Sequence, residues 1–414
     1  MMLRIKDYTT KVGSGVTPRG GAETYLDEGI PLFRSQNVTN DGFLMDDIAF
    51  ISEEVDESMK GTRMKPGDVL LNITGASIGR CFYTSDDFER GNVNQHVCII
   101  RPKKNKVKPD YLHYCIISDK GQQQIDLTQT GANREGLAVE DIKGFMFDIP
   151  SLPVQQRIVD YLDEKLTKID GRIEVLEKQK DAYMRLKKSI IHQAVTRGLK
   201  PNVSLKDSGI EWIGMIPEHW EVKRIKDLCS FVSRGSTPDY VDESDFPVMN
   251  QAVFSSGCIN HEVVRYSSYM KPESKIEKGD LLIASTGGGI LGKLYFFNIE
   301  DEQFYADTHV TIVRSPKKTF CVKFLYYLLS IGYNMINTCM AKGSTNQTEL
   351  QRDKLIAYEI AIPSIEEQTR IIDYLDEKCT KIDAAIENIS KQIDASKRLK
   401  RALINEVITG QRAV

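Results

Sequence analysis

Apolar side chains recur at alternating steps of four and three residues along two stretches of the chain. The first stretch begins at Leu162 and the second at Leu375. Such spacing over several heptads is typical of a coiled-coil seam. It predicts long helices over residues 151–199 and 364–411. About 45 helical residues at about 1.5 Å each would make a rod of roughly 65–70 Å. The predicted seam residues are Leu162, Leu166, Ile169, Ile173, Leu176, Leu375, Ile382, Ile386, Ile389 and Ile393.

Signals for helix termini lie at the ends of both stretches. Ser364 and Glu367 form an S-x-x-E capping box at the start of the second helix. Gly198 and Gly410 follow the last periodic positions, and Pro201 lies just beyond the first helix. We therefore expect each helix to end at its glycine.

The two stretches belong to a repeat that runs through the whole chain. Residues 160–170 return as residues 373–383 with a single difference, and His96 returns as His309 at the same offset of 213 residues. Two copies are too few for a stacked solenoid, which needs three or more. The pattern therefore indicates a tandem duplication in the order globular, helical, globular, helical.

Short apolar runs, bounded by glycine-rich turns, occupy the segments outside the helices. These runs predict strands at residues 68–73, 96–100, 280–284 and 309–313, and short helices at residues 109–117 and 322–329. Each copy is thus expected to contain an α+β domain of about 140 residues. The expected limits are residues 1–150 and 223–363 for the two domains and residues 200–222 for a linker. The predicted fold class is α+β, a tandem duplication of two globular α/β domains separated by two long coiled-coil helices.

Connectivity predicts that the two helices are antiparallel. The first helix carries the chain from the first domain to the second, so the second helix must run back to pack along it, with one domain at each end. Net charge agrees, because residues 153–177 and 366–390 carry −2 and −4, whereas residues 178–200 and 391–413 carry +6 and +4. The alternative is that each helix merely complements its own dipole, which also favours bases at the C-terminus.

Composition narrows the class of protein. The 414 residues are 41% hydrophobic and 27% charged, as expected for soluble globular domains. No apolar run approaches the ~20 residues that span a bilayer, and the N-terminus lacks an apolar signal core. The eight cysteines form no CxxC pair, so we expect reduced thiols, a cytoplasmic location and no metal site. Because the net charge is −3, any DNA-binding surface must be local.

Polar, amide-rich patches lie where turns are expected in both domains. Asn and Gln can pair with adenine in the major groove, Arg can pair with guanine, and Lys or Arg can hold phosphates. Candidate DNA contacts in the first domain are Thr17, Arg19, Arg34, Gln36, Asn37, Thr74, Ser77, Arg80, Asn94, Gln95, Asn133 and Arg134. Candidates in the second domain are Thr237, Asn250, Gln251, Thr286, Lys293, Asn346 and Gln347. Ordinary turn chemistry is the alternative for each of them, and for His96 and His309 a framework hydrogen-bonding role is favoured.

The sequence lacks the usual catalytic signatures. Residues 287–293 approach a phosphate-binding loop, but Leu294 stands where the magnesium-binding Ser or Thr belongs. No Asn/Asp-Pro-Pro-aromatic sequence of an adenine methyltransferase occurs, and no GxGxxG opens a helix. We therefore expect a chain with no catalytic residue and no cofactor of its own.

These features together resemble the specificity subunit of type I restriction-modification systems over essentially the whole chain. The resemblance rests on residues 207–214 (DSGIEWIG), residues 216–220 (IPEHW), and the Ile-Pro-Ser…Gln…Arg-Ile…Tyr-Leu-Asp-Glu-Lys entry to each helix. The lead-in with Trp212 and Trp220 precedes only the second copy, and we expect both rings to pack it onto the domain.

The resemblance implies two target-recognition domains, each reading one half of a split site in double-stranded DNA. The helices would act as spacers that set the gap between half-sites and dock two modification subunits. Those partners would carry S-adenosylmethionine and methylate adenine, and motor-nuclease restriction subunits would join them. This chain would be the non-catalytic subunit.

Two other classes of protein are alternatives to the specificity subunit. A single-chain enzyme that recognises and modifies DNA would need an additional catalytic domain, for which no room remains. A coiled-coil adaptor that binds only proteins would lack salt-dependent binding to DNA, since phosphate contacts make affinity fall with salt.

Overall fold

A computed structural model describes residues 2–129, 136–287, 289–315, 320–332, 336–343 and 348–414. The chain divides into two compact units, which we call unit 1 (Met1–Glu177 with Ser390–Val414) and unit 2 (Lys178–Ile389). The division falls within both long helices, so each unit contains part of each of them.

Three sheets organise the described part of unit 1. Its strands are β1 (Met2–Arg4), β2 (Thr9–Ser14), β3 (Ile30–Phe33), β4 (Ala49–Ile51), β5 (Val69–Asn72), β6 (Cys81–Tyr83), β7 (Asn92–Val93), β8 (Val97–Pro102) and β9 (Met146–Asp148). The central sheet is antiparallel in the order β2-β8-β5-β6. A three-stranded sheet, β4-β3-β7, and the pair β1-β9 complete the unit.

The helices of unit 1 pack around these sheets. They are α1 (Glu53–Ser58), α2 (Pro109–Ile117), α3 (Asp119–Thr128), α4 (Val139–Gly144) and the first part of α5 (Leu152–Arg197). Pro109 occupies the first turn of α2, where its missing N–H costs nothing. Ser118 caps α3 by accepting a hydrogen bond from the Gly121 N–H. Every residue of β5 is buried, which explains why its first three residues form an apolar run.

Unit 2 contains further strands in five sheets within the described residues. They are β10 (Leu205–Asp207), β11 (Met215–Pro217), β12 (Glu221–Arg224), β13 (Phe231–Arg234), β14 (Tyr240–Val241), β15 (Pro247–Met249), β16 (Arg265–Ser267), β17 (Leu281–Ala284), β18 (Leu294–Phe296), β19 (Tyr305–Ala306), β20 (Val310–Arg314), β21 (Ala341–Lys342), β22 (Glu349–Leu350) and β23 (Glu359–Ile362). The sheets have the orders β13-β20-β17-β18, β14-β16-β15-β19, β12-β23, β10-β11 and β21-β22.

The remaining helices belong to unit 2 or run through both units. They are α6 (Ile225–Leu228), α7 (Gln251–Phe254), α8 (Val322–Ile331), α9 (Arg352–Ala357), a π-helical turn (Ile336–Met340) and the long C-terminal helix α10 (Ile365–Ile408). The predicted strands and both short helices, now α2 and α8, are confirmed to within two residues at each end.

The central sheets of the two units share one order, with β2, β8, β5 and β6 answering to β13, β20, β17 and β18. The same buried ion pair supports each sheet. In unit 1 the Arg101 guanidinium donates to both carboxylate oxygens of the fully buried Asp68, at 2.7 and 2.8 Å. In unit 2 Arg314 holds Asp280 in the same two-pronged way, at 2.7 Å for both bonds. The duplication inferred from sequence therefore extends to the packing of both domains.

The long helices α5 and α10 are antiparallel, as predicted. In unit 1 the Lys400 ammonium donates to Asp170 at 2.8 Å. In unit 2 the Lys187 ammonium donates to Asp383 at 2.6 Å. As the residue number rises along α5, that of its contact on α10 falls. Lys187, which interrupts the apolar seam, therefore has an acidic partner.

The seam residues differ in burial. The seven that are at least nine-tenths buried are Leu162, Leu166, Leu176, Leu375, Ile382, Ile389 and Ile393. The three that are half-buried are Ile169, Ile173 and Ile386. Both helices end within two residues of the predicted glycines. Gly198 and Gly410 have φ values of 73° and 76°, in the left-handed region that favours glycine.

The lead-in to the second copy packs onto unit 2 as predicted. Trp220 is fully buried and meets the Phe324 ring edge-to-face at 6.2 Å. Trp212 stacks on Tyr358 at 6.5 Å with an interplanar angle of 22°. The two indoles therefore attach the segment before β12 to the core of unit 2.

The predicted domain limits and the compact units divide the chain differently. The predicted limits follow the chain from one element to the next, whereas the units follow spatial packing. Those limits are residues 1–150, 151–199, 200–222, 223–363 and 364–411. The limits themselves stay a prediction. Within the described residues, no helix is both long enough and apolar enough to cross a membrane.

Candidate nucleic-acid interface

Loops from separate parts of unit 1 meet at one edge of its central sheet. The Gly15 N–H, just after β2, donates to the Val97 carbonyl at 2.9 Å. The Ile73 N–H, just after β5, donates to the His96 carbonyl at 3.0 Å, and the Ile73 carbonyl accepts from the Leu137 N–H at 2.8 Å. These bonds bring most of the predicted contact segments of the first domain to one edge.

Unit 2 forms the same edge. The Gly235 N–H donates to the Val310 carbonyl at 3.1 Å. The Ser285 N–H donates to the His309 carbonyl at 2.8 Å, and the Ser285 carbonyl accepts from the Leu350 N–H at 2.9 Å. The geometry therefore recurs in the second copy, although the sequences of the loops differ.

Two repeat-related glycines allow the backbones at each edge to approach closely. A Cβ atom at Gly15 would lie 2.1 Å from the Val93 carbonyl oxygen, and one at Gly235 would lie 1.8 Å from the Ala306 carbonyl oxygen. No side chain fits at either place, so glycine is required there.

The predicted contact residues differ in exposure. Those exposed at the surface are Thr17, Arg19, Gln36, Arg80, Gln95, Thr237 and Lys293. Those half-buried are Arg34, Thr74, Ser77, Asn250, Gln251 and Thr286. The remaining described candidates, Asn37 and Asn94, are 1% and 6% exposed.

Asn37 and Asn94 hold the loops from inside. The Asn37 amide donates to the carbonyls of Leu44 at 2.9 Å and Asp47 at 3.1 Å, and its oxygen accepts from the Arg34 N–H. The Asn94 oxygen accepts from the His96 N–H at 3.1 Å. Since these side chains face the protein, they are not available to a base edge. For these two residues the alternative of ordinary turn chemistry describes the contacts.

Arg34 and Gln36 converge on Asp47, which the sequence did not indicate. The Arg34 guanidinium donates to the Asp47 carbonyl at 2.6 Å and lies 3.4 Å from its carboxylate, and the Gln36 amide donates to the same carboxylate. Arg34 also lies over the Tyr25 ring at 5.6 Å. An acid in the following loop carries no local pattern that links it to Arg34, so only the fold reveals the contact.

A chain of side-chain hydrogen bonds joins three of the candidates in unit 1 through His96. The Thr17 hydroxyl donates to the Gln95 amide oxygen, and the Gln95 amide nitrogen lies 3.0 Å from His96 Nε2. On the other side of the ring, His96 Nδ1 lies 2.6 Å from the Thr74 hydroxyl. Four residues from three loops thus form one connected group.

The corresponding group in unit 2 is smaller. His309 Nδ1 lies 2.7 Å from the Thr286 hydroxyl, and the His309 N–H donates to the Asp307 carboxylate at 2.8 Å. Burial raises the pKa of the Asp307 carboxyl, while the His309 N–H acts in the opposite direction. The framework role favoured for both histidines is what these contacts show.

The other candidates of unit 2 have local contacts. The Asn250 side chain caps α7 by accepting from the Ala252 N–H at 2.9 Å. The Gln251 amide lies near Gly287, with 3.7 Å between its nitrogen and a Cβ placed there. The Lys293 ammonium donates to the Ser255 carbonyl at 3.0 Å. Gln251 and Lys293 thus flank the glycine-rich turn that follows β17.

Ser77 and the loop candidates near residues 130 and 345 complete the edges. The Ser77 hydroxyl donates to the Thr74 carbonyl at 3.5 Å. Asn133, Arg134, Asn346 and Gln347 lie outside the described residues. The chain next to them is anchored at the same edges, since Gly136 pairs with Thr74 and Glu349 pairs with Thr286 as isolated β-bridges.

No group of three or more His, Cys, Asp or Glu side chains is placed to hold a metal ion, as far as the described residues go. The described candidate side chains at the two edges carry hydroxyl, amide and basic groups. The hydroxyl and amide groups can donate and accept hydrogen bonds, and the basic groups can donate them. Such an edge is suited to reading polar surfaces such as the base edges and phosphates of nucleic acid.

Comparison with known proteins places the chain in a family. The family model of the type I restriction modification DNA specificity domain matches residues 2–181 and 217–395. The chain belongs to this family and carries two copies of the domain in tandem. Each match begins near the first strand of one copy and ends within a long helix.

Relatives with the same organisation extend along nearly the whole chain. The putative type I restriction enzyme MjaX specificity subunit of Methanocaldococcus jannaschii is 23% identical over 414 residues, covering 98% of this chain and 92% of that protein. The MjaVIII specificity subunit of the same organism is 25% identical over 379 residues, covering 89% and 84%.

A solved structure has the same fold. It comes from a study of complex assembly and conformational transition of the type I R-M system, and it matches with a TM-score of 0.76 at 16% identity. The match covers 99% of this chain and 97% of that one. The predicted family and fold class are confirmed.

Proposed function

We propose that this chain is the DNA sequence-specificity subunit of a type I restriction-modification complex, in which each copy of the domain reads one half of a split site in double-stranded DNA. The observation that carries this proposal is the repeated edge. In each unit one set of loops is bonded together at the same end of the same sheet, and it presents hydroxyl, amide and basic side chains.

Local charge supports a role for these edges in DNA binding despite the acidic balance of the whole chain. Arg19 and Arg80 are exposed near the edge of unit 1, and Lys293 is exposed near that of unit 2. Basic side chains of this kind can hold phosphates and fix the register, while amides and hydroxyls read the base edges.

The proposed partners supply the chemistry. Two modification subunits would dock on the long helices, bind S-adenosylmethionine and methylate adenine, and restriction subunits with motor and nuclease activities would join them. This chain itself would be non-catalytic and would work in the cytoplasm. The support for these partners is family membership together with the two long helices.

Methylation-site mapping tests the proposal. Cells that carry this chain with its modification subunit should methylate adenine in one bipartite, gapped motif, and that methylation should disappear when this chain alone is deleted. If the methylome is unchanged by the deletion while the modification subunit is shown to be active with another specificity subunit, the proposal is wrong.

Binding in increasing salt distinguishes the proposal from a protein-only adaptor. The purified complex should bind duplex DNA carrying the motif with an affinity that falls steeply between about 50 and 200 mM salt, because phosphate contacts release counterions. A complex that assembles normally but shows no salt-dependent DNA binding would identify the chain as an adaptor.

A further inference from the structure

The histidine at each reading edge is fixed more firmly than a surface side chain would be. The backbone of His96 is held on both sides: its N–H donates to the Asn94 side-chain oxygen, and its carbonyl accepts from the Ile73 N–H. His309 is held in the same way, by Asp307 and the Ser285 N–H. Both rings then turn Nδ1 toward a threonine hydroxyl, Thr74 or Thr286. The arrangement recurs although Asn94 and Asp307 differ, so the fold specifies it twice.

The Gln95 amide determines which ring nitrogen of His96 carries the proton. The Gln95 amide turns its oxygen toward Thr17 and its nitrogen toward His96 Nε2, at 3.0 Å. In this orientation the amide nitrogen donates and His96 Nε2 accepts. In a neutral ring the proton then sits on Nδ1, which donates to the Thr74 oxygen at 2.6 Å. The Thr17 hydroxyl completes this series of hydrogen bonds by donating to the Gln95 amide oxygen.

The direction of these bonds decides what the edge offers to DNA. Since the Thr74 oxygen accepts from His96, its own hydroxyl hydrogen has no acceptor among the described residues and can donate outward. The second N–H of the Gln95 amide is likewise a donor, on an exposed side chain. In the major groove the acceptors are the N7 and O6 atoms of guanine, N7 of adenine and O4 of thymine.

We infer that His96 is a positioning residue for base recognition, which orients Thr74 and Gln95 as hydrogen-bond donors toward an acceptor atom on a base edge. This inference rests on the proposed DNA-reading function and adds a specificity determinant to it. His309 orients Thr286 in the second half-site. There Thr308 stands at the position of Gln95.

Methylation-site mapping of variants of the full chain with its modification subunit tests the inference. Thr74→Val removes the hydroxyl without changing the shape of the side chain, Thr74→Ser keeps the hydroxyl, and His96→Ala removes the ring. We expect Thr74→Val and His96→Ala to relax the same base position in one half-site. Discrimination there should fall by about 3- to 10-fold, as expected for one lost hydrogen bond, and Thr74→Ser should retain it.

The second half-site serves as the internal control. It should remain unchanged in the Thr74 and His96 variants, which shows that the complex is folded and active, and it should be the one relaxed by Thr286→Val and His309→Ala. If His96→Ala lowers methylation evenly at all sites without changing the motif, or if Thr74→Val leaves the motif as it was, the inference is overturned. A wild-type complex with no bipartite motif would instead overturn the proposed function itself.

Discussion

At the scale of single residues, burial separates amides that hold loops from amides that face outward. Asn37 and Gln36 are neighbours in an amide-rich patch, yet Asn37 is buried and Gln36 is exposed. The sequence predicts the patch correctly as a polar loop. It cannot tell which side chain turns inward, because that depends on the carbonyl of Asp47, a residue brought close only by folding.

His113 is a buried base whose titration should weaken unit 1 in acid. Burial lowers the pKa of His113 to about 4, among the rings of Phe82, Tyr83 and Tyr114, while the nearby Asp41 and the Cys81 backbone raise it and Lys400 lowers it. In the unfolded chain the pKa is about 6.5. Protonation therefore favours unfolding, so stability is fully present above about pH 6.5 and is lost as the pH falls through about 4.

We expect His113→Phe to flatten this pH dependence by up to about 3 kcal/mol between pH 6.5 and 4. The measurement is chemical denaturation of the full chain across that range, compared with wild type so that other titrating groups cancel. His192→Gln, at an exposed position of α5, is the control and should leave the profile unchanged. A wild-type slope retained in His113→Phe would contradict the prediction.

At the scale of elements, the local apolar pattern was sufficient for the long helices and the central strands. Strands such as β5 and β17 are buried over their whole length, so their sequences stand out. The second sheet of each domain was not predicted. Its strands are two to four residues long, and the pairing of β3 with β7 joins residues about 60 apart in sequence. Such short strands are defined by their partners rather than by their own periodicity.

The entry to each long helix depends on one buried glutamine. The Gln155 side chain is fully buried, accepts from the Lys108 N–H at 2.8 Å, and donates to the Lys106 carbonyl at 2.9 Å and the Pro150 carbonyl at 2.8 Å. Its repeat partner Gln368 makes equivalent bonds to Cys321 and Pro363.

We expect Gln155→Ala to destabilise unit 1 by about 2 to 3 kcal/mol, because it leaves buried backbone groups without partners. Thermal or urea denaturation of the full chain measures the change. The neighbouring Gln156 is exposed and bonds only within the helix, so Gln156→Ala is the matched control and should be neutral. Equal stability of the two variants would be evidence against the assigned role.

The repeat-related Lys–Asp pairs favour one register of the helices. Lys187 and Asp383 are 31% and 54% exposed, so their interaction is partly screened. We expect Asp383→Lys to destabilise unit 2 by roughly 1 kcal/mol through repulsion, and the exchange Lys187→Asp with Asp383→Lys to restore most of that loss.

A double-mutant cycle by thermal denaturation measures this coupling. Glu164 pairs with Lys168 inside one helix, so the same exchange there should show only the small coupling of a local surface pair. Absence of coupling between Lys187 and Asp383 would show that the register is set by the apolar seam alone.

At the scale of the whole molecule, the tandem organisation was predictable because the repeat is visible in the sequence. The division of the chain into the two compact units was not predictable, because it depends on which helix segments pack onto which domain. The antiparallel pairs Lys400–Asp170 and Lys187–Asp383 also define matched segments of α5 and α10. Residues 177–183 and 387–393 are such a pair of heptads, lying between the two contacts.

If helix length sets the gap between half-sites, deletion of both heptads should shorten that gap. Seven residues at 1.5 Å each remove about 10 Å, or roughly three base pairs of spacer, together with about 0.3 of a turn of DNA. Methylation mapping should show the same half-sequences with a shorter spacer. Deletion of only one heptad puts the Lys–Asp pairs out of register and should lower methylation overall. An unchanged spacer after the double deletion would show that helix length does not set the gap between half-sites.

The assignment of residues 390–414 to unit 1 has a consequence for how the protein is made. Leu162 and Leu166 share a core cluster with Leu403, Ile404, Val407 and Ile408, so residues of α10, synthesised long after the first domain, complete the core of that domain. Leu403 leaves the ribosome 241 residues after Leu162, roughly 12 to 48 s later at typical synthesis rates. During that interval the first domain lacks the four α10 side chains of this cluster, so part of its apolar surface stays uncovered while the chain is being made.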